Sequence, residues 1–86
     1  MAEVDQKQVN DVAAMLHKMG VRVCLYNGEP YVDMDGAEVL TGRKVASIYK
    51  FIKTVPGFPQ KKDVLGLRLF LLSDFIAYQN LQKETA

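Results

Sequence analysis

TGRKVASIYKFIKTVPGFPQKK, residues 41–62, holds six basic side chains (Arg43, Lys44, Lys50, Lys53, Lys61, Lys62) and no acidic one. Its apolar residues fall at helical spacing, and they predict a helix from about Lys44 to Val55. Gly57 and Pro59 end that helix. On a helical wheel Val45, Ile48, Tyr49, Ile52 and Val55 share one side and form the expected core face. The other side carries Ala46, Ser47, Lys50, Lys53 and Thr54, with Arg43 just ahead. A charged helix face is usually a solvated one. Two features set this one apart. Its charge is of one sign, where solvated helices mix signs for i,i+4 pairing. Cations also recur past the helix, at Lys61 and Lys62.

Working outward, a short helix precedes this segment. Asp35 is its expected N-cap, with Glu38 at capping-box spacing. Ala37, Val39 and Leu40 give it a small buried side, and Gly42 stops it. After the basic segment, FPQKKDVLGLRLFLL alternates on a strand period about Leu65-Gly66, which predicts a hairpin. Leu67, Leu69 and Leu71 fall on one face, and Arg68, Phe70 and Leu72 on the other. Ser73 is the expected cap of a last helix from Asp74, and the polar tail from Gln82 is expected to fray.

The first third of the chain has a different character. Asp5 and Gln8 suit a capping box. Val9, Val12, Ala13, Leu16 and Met19 then make one apolar stripe, closed by Gly20. VRVCLYNGEPYV follows, and Asn27-Gly28 is the strongest short signal for a two-residue hairpin turn. Pro30 cannot donate to a ladder, so its strand is expected at a sheet edge there.

At 86 residues the chain is expected to form a single domain: an extension over 1–34, a core unit over 35–81 and a tail over 82–86. Hydrophobic content of 49% against 24% charged residues excludes a chain disordered throughout. Cys24 is the only cysteine, so no internal disulfide forms, and a reducing cytoplasm is the expected setting. Residues 1–10 are polar and acidic, so no secretory leader is expected. The most apolar run, Val64–Leu72, is broken by Arg68 and falls short of the ~20 residues of a membrane span. His17 has no second ligand at hand, and neither zinc spacing nor a phosphate loop is present, so no metal, cofactor or catalytic residue is expected. The net charge of +1 conceals an uneven distribution. Residues 1–40 hold three basic and seven acidic residues, and residues 63–86 hold two and three. The basic segment is therefore a patch, which concerns partners rather than fold.

Two short helices across a glycine turn, a basic hairpin and a closing helix follow the order of a winged helix-turn-helix. The fold class expected is thus α+β: a small winged helix-turn-helix preceded by a helix and a hairpin. Within it, Arg43, Lys44, Ala46, Ser47, Lys50, Lys53 and Thr54 are the candidate DNA-facing residues of the helix. Gln60, Lys61 and Lys62 are the candidates on the hairpin, or wing.

Residues 36–80 resemble the AlpA-like and excisionase-type phage regulators, a branch of the MerR-like winged-helix proteins that includes the Cox and Apl group. The resemblance rests on Gly42, Ser47-Ile48-Tyr49-Lys50, Phe58-Pro59, Phe70, Ser73-Asp74 and Tyr78. It implies sequence-specific binding to repeated sites in double-stranded DNA, with self-association there. It also implies control of transcription in a bacteriophage or prophage, and work beside an integrase as an excisionase in DNA recombination. The chain departs from that pattern in two places. Arg43 stands where the family has an apolar residue and Val45 where it has a basic one. Leu71, Leu72 and Ile76 are apolar where the family is often polar. Those three need a cover. The N-terminal helix and hairpin are the expected one, and a second protomer is the competitor. The alternative function is a protein-interaction module, an anti-repressor or host-factor inhibitor, on the same scaffold.

Overall fold

In the computed structural model, which describes residues 4–85, the chain order is four helices and four strands. They run α1 (Gln6–Lys18), β1 (Val23–Tyr26), β2 (Glu29–Val32), α2 (Met34–Thr41), α3 (Val45–Thr54), β3 (Lys61–Val64), β4 (Leu67–Leu71) and α4 (Leu72–Thr85). The strands form one antiparallel sheet in the order β1-β2-β4-β3.

Both ends of α1 follow from local chemistry. The Asp5 carboxylate accepts the Lys7 amide at 3.0 Å. Gly20 takes φ 82°, its amide donates to the His17 carbonyl, and the Val21 amide donates to the Leu16 carbonyl. That pair of bonds satisfies the helix's last carbonyls in a Schellman arrangement. Gln8 does not close a capping box. Its amide instead exchanges two hydrogen bonds with Asn80 of α4, at 3.3 and 3.2 Å. The tertiary partner offers two bonds where the local one offers a single bond.

The cap of α2 is Asp33, not Asp35: Asp33 Oδ1 accepts the Gly36 amide at 3.2 Å. The helix starts directly off β2, so the first carboxylate past the strand occupies the cap and Asp35 falls in the first turn. Gly42 ends α2 at φ 68°, where a side chain would be strained. α3 then begins at Val45 with Lys44 as its N-cap residue.

Both hairpins turn on two residues of positive φ, Asn27-Gly28 (52° and 78°) and Leu65-Gly66 (51° and 85°). For a leucine this conformation costs about 1–2 kcal/mol. Pro30 lies in an interior strand, a correction to the edge expected. It is tolerated because its Cα partner is Leu25 on β1, while the β2–β4 pairing runs only through Tyr31 and Val32. The β2–β4 ladder stops one residue short of the missing N–H.

The main core lies between the helices and one sheet face. Val9 and Leu16 of α1, Val32, Ala37, Ile48, Phe58, Phe70 and Leu72, Phe75 and Ile76 of α4 are all buried there. Leu72 and Ile76 are thus covered from within the chain, by the N-terminal helix and hairpin as expected. Phe58 binds this core by edge contacts to Phe51, Phe75 and Tyr78. On the opposite sheet face Tyr31, Val64, Leu69 and Leu71 cluster with Cys24 and Tyr26.

α4 follows β4 without a break, so Leu72 opens it and Ser73 lies inside the first turn rather than at the cap. The helix also continues past Gln82 to Thr85, where a frayed tail was expected. Residue 86 lies outside the described residues.

Candidate nucleic-acid interface

Residue alternation on β3 decides which cations join the helix face. Lys61 pairs across the ladder with Phe70, and Asp63 with Arg68, so these four point to the helix side of the sheet. Lys62 pairs with Leu69 and points to the other side. Its ammonium lies 3.5 Å from Asp74 Oδ2 of α4. Lys61 instead reaches α3. Its Nζ donates to the Tyr49 hydroxyl at 3.1 Å and sits 4.8 Å from that ring's centroid. Adjacent lysines in the sequence therefore have separate roles.

Tyr49 is 47% exposed, which corrects its assignment to the core face. The helix is rotated so that Ile48 is fully buried, flanked by half-buried Val45, Phe51 and Ile52. Phe51 takes the inward place because Phe58 and the core offer its ring more apolar surface than a tyrosine hydroxyl tolerates. Tyr49 falls at the border, where its ring packs and its hydroxyl stays wet.

The solvent side of α3 carries Ala46, Lys50, Lys53 and Thr54, all exposed, beside Tyr49. Ser47 is half-buried at the flank. The Thr54 hydroxyl donates to the Lys50 carbonyl at 2.8 Å, which leaves its lone pairs facing out. Lys44 makes no side-chain capping bond and is exposed. Arg43 takes a different direction: its guanidinium carbon lies 4.6 Å from the Phe51 centroid. That stacking holds it about a quarter-turn round the helix from Lys50. Gln60 is a bracket. Its amide donates to the Ile52 and Phe58 carbonyls, both at 3.1 Å, and ties the hairpin root to the end of α3.

Between α3 and the hairpin runs a recess lined by Tyr49, Ile52, Gln60, Lys61 and Arg68. Arg68 was not among the sequence candidates. The signal was present: counting back from a two-residue turn at Leu65-Gly66 pairs Arg68 with Asp63 and puts it beside Lys61. Arg68 is paired only loosely, 3.9 Å from Asp63, and both are well exposed. Such a pair contributes little to stability and exchanges partners readily.

Lys50 and Lys53 of α3 thus lie beside Lys61 and Arg68 of the hairpin, Lys44 is exposed at the helix entry, and Asp63 is the acid next to Arg68. Among the described residues, no group of three or more His, Cys, Asp or Glu could hold a metal ion. No described helix is long and apolar enough to cross a membrane. No family model, curated protein or solved structure matches the chain.

Proposed function

We propose that this chain binds double-stranded DNA, with α2, the Gly42 turn, α3 and the β3–β4 hairpin acting as a winged helix-turn-helix. The observation that carries the reading is the Lys61–Tyr49 contact, which draws the hairpin root against α3 and makes two sets of cations one surface. In this reading α3 enters the major groove, which admits a helix. Ala46 permits close approach, Lys50 and Lys53 meet base edges or phosphate, and Lys44 meets phosphate at the helix entry. Arg68 and Lys61 follow the backbone beside the hairpin. Arg43 acts from the flank, after leaving Phe51. Lys62 acts only if Asp74 releases it.

The role that goes with this reading is a cytoplasmic regulator of phage or prophage type, controlling transcription, aiding excision or both. A domain of this size makes few contacts, so cooperative binding at repeated sites supplies the affinity. No catalysis belongs to this reading.

Selection of binding sites from random duplexes, followed by gel-shift titration over salt, tests it. Log affinity falls linearly with log salt, with a slope of about −4 to −5 when Lys44, Lys50, Lys53, Lys61 and Arg68 each neutralise one phosphate. Absence of any shift at low salt rejects the reading. The second sheet face, which holds a separate apolar cluster and the 57% exposed Leu67, favours the protein-interaction alternative in that event.

A further inference from the structure

The two hairpin turns of this chain have the same backbone but not the same chemistry. The first uses Asn27, the residue type that tolerates positive φ. The second holds Leu65 at φ 51°. A bulky apolar residue in that region is uncommon, and asparagine in the first turn shows that this backbone does not require leucine. Packing does not account for it either, because Leu65 is 83% exposed and its neighbour Leu67 is 57% exposed. A strained, solvated leucine at a hairpin tip is a candidate contact residue, since backbone strain of this kind persists where function uses it.

Its position supplies the partner. Lys61, at the hairpin root, is held against Tyr49 of α3. From there to Leu65 the chain runs four residues, a reach of ~13 Å along the strand. With α3 seated in a major groove about 12 Å wide, a hairpin directed across the groove wall has the length to bring its tip to the neighbouring minor groove. Lys61 and Arg68 border the path, and Arg68 partly neutralises Asp63. Apolar side chains that enter the minor groove unstack a base step and kink the duplex.

Resting on the DNA-binding reading above, we infer that Leu65 is a wedge that inserts into a base step of the minor groove and bends the DNA.

The test uses the full chain and a selected duplex carrying end dyes for energy transfer, with 2-aminopurine at steps flanking the α3 site. Wild-type protein shortens the end-to-end distance, in keeping with a kink of ~20° or more, and brightens 2-aminopurine at one step. Leu65→Asn abolishes both signals while its free Tm rises by ~4 °C, since asparagine suits the turn. Leu65→Met, still apolar, retains both. An unchanged bend in Leu65→Asn overturns the wedge and leaves DNA binding standing. Failure of the wild type to bind any duplex overturns the DNA reading first and the wedge with it. A Leu65→Asn change in sedimentation without DNA, with bending intact, overturns the wedge in favour of contact with a second copy.

Discussion

Gly36 is buried in α2 with Val32 directly beneath it. A Cβ built there would lie 2.6 Å from Val32 Cβ. Helix propensity alone favours alanine over glycine by about 1 kcal/mol. Here the contact prevails, because Val32 is fully buried in a strand and cannot retreat. Gly36→Ala is expected to destabilise the fold by ~1–3 kcal/mol, read as a lower urea midpoint at constant slope. The same scale separates the two aspartates at the start of α2. Asp33→Ala removes the bond to the Gly36 amide and is expected to lower stability by ~1 kcal/mol. Asp35→Ala, in the exposed first turn, is expected to change it by less than ~0.5 kcal/mol. Thermal unfolding of the two variants side by side checks the order.

At the scale of elements, α3 and the β3–β4 hairpin work as a pair. Gln60 clamps the end of one to the root of the other, and Lys61 closes the gap at Tyr49. The pairing sorts the lysines by their effect on DNA. Lys50→Ala is expected to flatten the salt slope by about one unit, because an exposed cation is removed from the proposed contact face. Lys62→Ala is expected to leave the slope nearly unchanged, because Lys62 lies across the sheet beside Asp74. Gel shifts at four salt concentrations distinguish them, and equal effects of the two would reject the division of faces. The amphipathic pattern of α3 was legible in the sequence, and so were its limits to within a residue. Its rotation was not. Tyr49 and Phe51 both border the apolar stripe, and a wheel gives them similar claims. Phe58, from outside the helix, decided between them.

Across the whole molecule, the N-terminal helix and hairpin are not an appendage. β2 pairs with β4 in the middle of the sheet, and α1 joins α4 through Gln8 and Asn80. Val9, Leu16 and Val32 share one core with Ile48, Phe70 and Ile76. A fragment of residues 34–86 would uncover Leu72 and Ile76, now 0% and 1% exposed. It is expected to show no cooperative thermal transition, while the full chain shows one. Calorimetry of both checks this, and a sharp transition in the fragment would make the first 33 residues dispensable.

What the sequence determined by itself is local and periodic. Turn chemistry at Asn27-Gly28 and Gly42, and the alternation about Leu65-Gly66, specify their elements because the energies involved act within a few residues. The one-signed charge of residues 41–62 is likewise a property of the chain alone. Tertiary structure decided the rest. It chose Asp33 over Asp35 as a cap, drew Gln8 away to Asn80, turned Tyr49 outward and set Lys61 rather than Lys62 against α3. Each of these was a choice between local options within about 1 kcal/mol of one another. Where local preferences are so nearly balanced, burying a distant side chain outweighs them, and the packed chain settles what the sequence left even.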